Sequence, residues 1–320
     1  MRFVVAVLLA SVCFGTTGTA QALGPEASAA SVGAARILIG GGALALVALL
    51  LQFAGRRGGA IGTSAASTPG VATGRAGRAG RGRWLPTWLV VLVGAAGVLA
   101  YQPAFFAGTA ANGVAVGTVV ALGSAPVITG GLDWLLRGRY PGNRWLVATA
   151  IATTGVAILA AAADPGRTAA DPLGLLASLG AGASYAVYTL AAKALLERGW
   201  APTASMGALF GTAAVASLPV LLATDASWLA TGPGLAMALW LGLVATTLAY
   251  VLFGVGLDGL APATVSTLTL AEPLTAGILG VVVLGETLAA GAVAGLLVLA
   301  TGIGVLTTGG VRRVPQPLAA

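Results

Sequence analysis

Long apolar runs of about 20 residues follow one another along almost the whole chain, separated by short segments rich in Gly, Pro and charged residues. A helix that crosses the hydrocarbon core of a bilayer needs about 20 mostly apolar residues. The strands of membrane barrels are about ten residues long and alternate apolar with polar positions, which these runs do not. The pattern therefore predicts ten transmembrane helices, over residues 3–21, 28–52, 86–107, 112–136, 145–163, 172–195, 201–223, 234–256, 261–284 and 288–308.

Composition supports this interpretation. Of 320 residues, 58% are hydrophobic and 8% are charged, and the mean hydropathy is +0.96. A water-soluble domain carries about 25% charged residues. We therefore predict an all-α polytopic membrane protein.

The two halves of the chain resemble each other. Residues 152–159 (AlaThrThrGlyValAlaIleLeu) return as 299–306 (LeuAlaThrGlyIleGlyValLeu), offset by 147 positions, and the same offset pairs Pro126 with Pro273. Five spans then fall in each half, and a duplicated unit with an odd number of spans re-enters the membrane upside down. We expect two inverted five-helix repeats, over residues 1–163 and 171–308, followed by a cytoplasmic tail over 309–320.

Basic residues indicate the orientation. With a cytoplasmic N-terminus, 14 of the 16 Lys and Arg residues fall at the cytoplasmic side, Arg167 falls outside, and Arg36 lies within a span. This bias follows the positive-inside rule and predicts that both termini lie in the cytoplasm. The cytoplasmic residues are Arg2, Arg56, Arg57, Arg75, Arg78, Arg81, Arg83, Arg137, Arg139, Arg144, Lys193, Arg198, Arg312 and Arg313.

The segment 55–83 contains six Arg residues and no acidic residue, and it is otherwise rich in Gly, Ala, Ser and Thr. It cannot bury a core, so we expect a disordered cytoplasmic loop. The loop either anchors the topology or docks on anionic lipid. No aromatic residues are interleaved with its Arg/Gly run at 75–83, which argues against nucleic acid as a partner. Residues 2–22 also fit a cleavable signal peptide, but its removal would leave nine spans and disrupt the repeat.

Missing residue types exclude several kinds of chemistry. The chain has no His and a single cysteine, Cys13. Ser/His/Asp triads and His-ligated or thiolate metal sites are therefore excluded, and no P-loop sequence is present. We expect no enzymatic activity, no metal and no cofactor.

Two charges lie inside predicted spans, Arg36 in the second and Glu272 in the ninth. A charge near the bilayer centre costs roughly 2.5 to 3.5 kcal/mol or more, so both should face the bundle interior. Each either braces the structure, Arg36 on helix-end carbonyls and Glu272 at a helix break, or contacts substrate or protons. Pro126 and Pro273 fall mid-span and are expected to kink their helices. Gly-x-x-x-Gly pairs permit close helix contact within one chain or between two copies, at Gly113/Gly117, Gly207/Gly211 and Gly291/Gly295.

Several short motifs resemble the EamA-type branch of the drug/metabolite transporter superfamily. They are PheGlyThrThr at 14–17, Arg36 in the second span, TyrAlaValTyr at 185–188, GluPro at 272–273 and LeuGlyGlu at 284–286. The resemblance covers the chain apart from the Arg-rich segment. It implies an inner-membrane carrier with a central cavity between the repeats, often exporting amino acids or similar metabolites.

We therefore predict a secondary transporter that works by alternating access on a small-molecule substrate, with a channel or a non-transporting scaffold as the alternative. The cavity is expected near the membrane midplane at the repeat interface. Tyr101 and Tyr250 are the aromatic candidates at equivalent positions of the two repeats. The full set of candidate substrate-binding residues is Arg36, Tyr101, Gln102, Tyr185, Tyr188, Trp240 and Tyr250.

Overall fold

The computed structural model describes residues 1–60, 85–163 and 171–308. Within these ranges ten helices are long and apolar enough to cross a membrane. The prediction of an all-α protein with ten membrane helices is confirmed. The helices are α1 (Arg2–Ala22), α2 (Ala29–Ala54), α3 (Thr87–Gly113), α4 (Val116–Arg137), α5 (Asn143–Ala162), α6 (Pro172–Leu196), α7 (Pro202–Leu222), α8 (Gly232–Gly259), α9 (Pro262–Val282) and α10 (Ala290–Thr307).

Helix α3 is longer than its apolar run predicts, because it ends at Gly113 rather than near residue 107. Gly113 has a φ of 79°, a left-handed conformation that glycine adopts without strain. The last turn before it is held by Asn112, whose side chain donates to the Asp171 carbonyl (3.0 Å) and accepts from the Asp171 N–H (2.6 Å). These bonds tie the end of α3 to the start of α6, so tertiary contacts extend the helix.

The segment predicted as a loop over 55–83 begins as helix, because the helical backbone of α2 continues to Ala60. A helix that leaves the bilayer retains its internal backbone hydrogen bonds, so it need not end at the membrane edge. The rest of that segment and the tail at 309–320 lie outside the described residues.

Small residues let the helices pack closely in antiparallel pairs. On the pair α2 and α7, Gly41 lies against the Phe210 carbonyl, while Gly207 lies against the Leu44 carbonyl. Residue numbers rise on one helix as they fall on the other, so the two helices run in opposite directions. Gly207 belongs to a Gly-x-x-x-Gly pair of the sequence, and its close contact lies within the chain.

Helix α1 packs as an integral part of the bundle. Val7 and Ala10 are fully buried. Phe3 lies against Gly259 and Phe14 against Tyr250, so α1 runs antiparallel to α8. These contacts bury one face of α1 in the bundle, while Val5, Leu9 and Val12 on its other face are exposed.

Charged residues gather at one end of the bundle, called here the basic end. Arg137 pairs with Asp133 one turn before it (2.5 Å) and with Glu197 (3.3 Å), and Arg139 pairs with the same Glu197 (3.0 Å). These ion pairs join the end of α4 to the end of α6. The buried Lys193 is within α6, and its amine donates to backbone carbonyls that end α8, among them that of Leu257 (2.7 Å).

Candidate functional site

A small cavity of about 70 Å³ lies in the interior of the bundle, at the level of the middle of α9. Helices from both halves of the chain contribute to its wall, namely α1 to α4, α6, α8 and α9. The lining residues are Phe14, Arg36, Tyr101, Leu122, Ala125, Tyr185, Tyr188, Tyr250, Ser266, Thr269, Leu270 and Glu272. Charged groups and tyrosines therefore converge where an apolar membrane protein would otherwise have only hydrocarbon contacts.

Arg36 on α2 is held against an irregular stretch of α8. Residues Trp240–Leu248 form a π-helix, in which the hydrogen bonds skip one residue more than in an α-helix. Arg36 Nε donates to Thr246 Oγ1 (2.9 Å) and Arg36 Nη2 donates to the Ala245 carbonyl (2.9 Å). These two bonds orient the guanidinium group, which also borders the cavity. A guanidinium has five N–H donors, so two bonds do not use all of them.

Glu272 stands at a second irregularity, at the middle of α9. Residues Thr269–Ala271 form a 3₁₀ turn directly before it, and Pro273 is the second residue of the α-helical segment that follows. Gly15 on α1 packs against this break, since a Cβ there would come within 2.7 Å of the Glu272 carbonyl oxygen. The break and the close approach of α1 set the Glu272 side chain at the cavity wall.

Hydrogen bonds between α5 and α9 hold the first half of α9, before Glu272, in place. Trp145 Nε1 donates to the Ala263 carbonyl (2.8 Å) and to Thr267 Oγ1 (3.0 Å), and Thr149 Oγ1 bonds Thr267 Oγ1 (2.8 Å). All of these side chains are buried. Thr267 and the Ala263 carbonyl, which do not line the cavity, thus anchor the helix that carries Glu272.

Aromatic rings form one wall of the cavity. The hydroxyls of Tyr188 and Tyr250 are 3.2 Å apart, and the Tyr185 hydroxyl is 3.0 Å from Thr269 Oγ1. Phe14 packs edge-on against Tyr250 with ring centroids 5.0 Å apart, and Phe210 lies behind Tyr250 at 3.9 Å. Such a wall offers apolar faces and hydroxyl groups to the same bound molecule.

Arg36 and Glu272 border this cavity from different helices, and within the described part of the chain no salt bridge joins them. Two opposite charges that border one interior cavity and are not paired with each other can each pair with a ligand. The arrangement therefore suits a molecule that carries both an anionic and a cationic group. The described residues hold no group of three or more His, Cys, Asp or Glu that could bind a metal ion.

The structure brings six of the sequence-predicted functional residues to the cavity, and four lie elsewhere. Gln102 packs over Gly33 of α2, and Trp240 is 46% exposed and donates to Thr16 Oγ1 (3.0 Å). Pro126 is inside α4 with helical backbone on both sides, and Pro273 follows the break in α9. The six at the cavity are Arg36, Tyr101, Tyr185, Tyr188, Tyr250 and Glu272.

Sequence reasoning missed several residues of the wall, of which Ser266 and Thr269 are polar. Their spacing could have identified them, because residues 266, 269 and 272 are three positions apart and therefore share one face of a helix with Glu272. The apolar members Phe14, Leu122, Ala125 and Leu270 carry no such signal.

The chain can be compared with known proteins on this basis. Residues 172–308 match the EamA-like transporter family. An uncharacterized transporter of Bacillus subtilis (strain 168), YwfM, is 37% identical over 302 residues, which cover 94% of this chain and 92% of the relative. The chain belongs to the EamA-like transporter family. It is thus a multi-pass membrane transporter, and the family resemblance noted in the sequence is confirmed.

One further relative and one solved structure extend this comparison. The uncharacterized protein PA1977 of Pseudomonas aeruginosa is 31% identical over 196 residues, or 61% of this chain and 66% of the relative. A protein of known crystal structure is 19% identical and superimposes with a TM-score of 0.71 over 95% of this chain and 96% of the other. This EamA-family chain therefore has a fold already seen by crystallography.

Proposed function

We propose that this protein is a secondary active transporter that carries a small zwitterionic metabolite, such as an amino acid or a related amphipathic compound. The observation that carries the proposal is the placement of Arg36 and Glu272 on one interior cavity without a salt bridge between them. A substrate carboxylate would accept from Arg36, and a substrate ammonium would pair with Glu272. The tyrosine wall would contact the apolar part.

The size of the cavity supports alternating access. A pocket for a small molecule usually measures about 300–1,000 Å³, whereas this cavity has about 70 Å³. A substrate that needs a pocket of about 300–1,000 Å³ can enter only if the walls of this cavity separate. The π-helix of α8 and the 3₁₀ turn of α9 are irregular segments beside the cavity, so we expect the helices to bend there.

We propose that the basic end faces the cytoplasm of a bacterial cell. We also propose that the protein lies in the inner membrane and that it exports its substrate. The positive-inside bias supports the first of these statements. We expect the N- and C-termini to lie on the cytoplasmic side.

Counterflow in liposomes tests the proposal. Purified protein is reconstituted with unlabelled amino acids inside, and labelled amino acid is added outside. A carrier shows saturable uptake that is accelerated by internal substrate. A channel would give linear, unaccelerated flux, and a non-transporting scaffold would give none, so either result across a panel of zwitterions would contradict the proposal.

A further inference from the structure

A second and larger cavity, of about 410 Å³, opens on the outer surface of the bundle at the basic end. Its walls come from the start of α3, the end of α4 and the end of α6. Nine of its eleven lining residues are apolar, and the other two are arginines. They are Leu85, Val90, Val93, Leu132, Leu136, Val187, Leu190, Ala191, Ala194, Arg137 and Arg198. We call this cavity the lateral groove.

The lateral groove extends over about one leaflet of the bilayer. Its lining runs from Arg198, just after α6, down to Val187, and from Leu85, just before α3, to Val93. At about 1.5 Å of rise per residue these stretches span roughly 12 to 16 Å. The hydrocarbon core is about 30 Å thick, so the groove reaches about halfway through it.

Aromatic side chains mark the membrane surface at the mouth of the lateral groove. Trp88 and Trp134 are 63% and 52% exposed. Trp134 packs edge-on against Tyr140, with centroids 5.6 Å apart, and the Tyr140 hydroxyl donates to Asn143. Trp and Tyr gather at the headgroup level of a bilayer. Arg137 is three residues from both Trp134 and Tyr140 in the chain, and Arg198 donates to Thr87, the residue before Trp88. Both arginines therefore lie at headgroup depth, with the apolar floor of the groove below them.

Arginine side chains gather at this mouth. Arg137 donates to Asp133 and to the Leu190 carbonyl (3.2 Å), so its guanidinium is held at the groove wall. Arg198 donates to Thr87 Oγ1 (2.9 Å) and to the Leu85 carbonyl (2.7 Å). Arg137 and Arg139 share the carboxylates of Asp133 and Glu197, and Arg198 adds a further guanidinium group at the groove wall. These arginines make the mouth of the groove basic.

We propose that the lateral groove is a binding site for an anionic phospholipid of the leaflet at the basic end. The lipid phosphate accepts hydrogen bonds from Arg198 and Arg137, and one acyl chain lies along the apolar floor between α3, α4 and α6. Basic pockets between membrane helices favour anionic headgroups, and guanidinium groups match the geometry of phosphate oxygens. The site lies on a different surface from the interior cavity and does not depend on what that cavity binds.

Native mass spectrometry tests this assignment on the full chain. The protein is released from detergent containing equal amounts of phosphatidylglycerol and phosphatidylcholine with identical acyl chains. We expect retention of phosphatidylglycerol to exceed that of phosphatidylcholine, and Arg198→Gln to reduce this preference about fivefold. Ala194→Phe should reduce retention of both lipids, because a phenyl ring would fill the floor of the groove. Arg144→Gln is the matched control, since Arg144 is at the same end but donates to the Val305 carbonyl of α10.

Several results would overturn the assignment. Equal retention of the two lipids by the wild-type protein would show that the arginines do not select an anionic headgroup. Retention by well-folded Arg198→Gln and Ala194→Phe equal to that of wild type would show that the lipid lies elsewhere. Loss of the preference on shortening residues 61–84, with the groove intact, would assign it to the Arg-rich segment. A dimer that Ala194→Phe converts to a monomer without changing phosphatidylglycerol retention would assign the groove to a second copy of the chain.

Discussion

Gly155 and Gly302 pack against each other's helices in the same way. A Cβ on Gly155 of α5 would overlap the backbone of Leu299, and a Cβ on Gly302 of α10 would overlap the backbone of Ala152. Residues 155 and 302 are separated by 147 positions, and so are 152 and 299. The contact is therefore reciprocal and antiparallel, which supports the proposal of inverted repeats about an axis in the membrane plane.

This reciprocity gives the first prediction. Gly155→Ala and Gly302→Ala should each lower the free energy of unfolding by about 1–3 kcal/mol, because the added methyl group would force two backbones apart. Gly304→Ala is the control on the same helix, because no atom lies within 4 Å of a Cβ at Gly304. That variant should be neutral or more stable by up to about 1 kcal/mol. Unfolding in detergent measures all three, and a cost confined to one of the first two would contradict the reciprocal contact.

A second prediction concerns Arg36. Arg36→Gln removes a charge that we propose binds a substrate carboxylate, and a charge-assisted hydrogen bond contributes about 1.5–3 kcal/mol. We expect KM for a carboxylate substrate to rise about 10- to 100-fold. Arg36→Lys retains the charge but loses the fork that reaches both Thr246 and Ala245, so its KM should fall between those of wild type and Arg36→Gln. Transport at unchanged KM in a folded Arg36→Gln variant would assign Arg36 a bracing role only.

The third prediction separates the possible roles of Glu272. Glu272→Gln keeps the size of the side chain and a hydrogen-bonding group but removes the charge. If the carboxylate pairs with a substrate ammonium, KM should rise about tenfold or more at every pH. If it exchanges protons during the cycle, the pH dependence of wild-type transport should flatten in the variant.

Liposome transport against pH, at matched protein levels, distinguishes these outcomes for Glu272. If Glu272 only stabilises the helix break beside Pro273, the transport rate and its pH dependence should be the same in Glu272→Gln as in wild type. That result would remove Glu272 from the proposed binding site.

A fourth prediction concerns the hydroxyl pair of Tyr188 and Tyr250. Tyr188→Phe and Tyr250→Phe keep the aromatic wall but each removes one partner of the 3.2 Å contact. Hydrogen bonds between membrane helices contribute about 0.6 kcal/mol on average and rarely more than about 1.7 kcal/mol. A double-mutant cycle on unfolding should give a coupling energy in that range. Strictly additive effects would show that the two hydroxyls do not bond each other in the membrane.

The fifth prediction tests the proposed topology. In a Cys13→Ser background, Ser67→Cys should be protected from an impermeant thiol reagent in intact cells, and Asp225→Cys should be labelled. Asp225 precedes α8 at the end of the bundle opposite the basic end, where its carbonyl accepts from Ser31 (2.8 Å). Labelling of Ser67→Cys in intact cells would contradict the proposed orientation, because it would place residue 67 outside the cell.

The site could be predicted from the sequence only in part. Arg36 and Glu272 could be recognised because a charge inside an apolar span is costly unless it faces the interior. Tyr101 and Tyr250 could be paired through the repeat, and both reach the cavity. Gln102 and Trp240 could not be distinguished from them, since neighbouring positions on a helix point in directions that composition does not reveal.

The sequence by itself determined that the protein lies in a lipid bilayer, how many membrane helices it has and approximately where each helix begins and ends. Bilayer thickness fixes the length of an apolar run, and the backbone hydrogen bonds of a spanning segment must be satisfied within it. Pro273 already indicated the break in α9, because a proline lacks the N–H that would continue the helix. Only the tertiary structure revealed the π-helix of Trp240–Leu248, against which Arg36 of a distant helix donates to Thr246 and to the Ala245 carbonyl. Apolar periodicity cannot encode those contacts, because they arise from which side chains meet across the bundle.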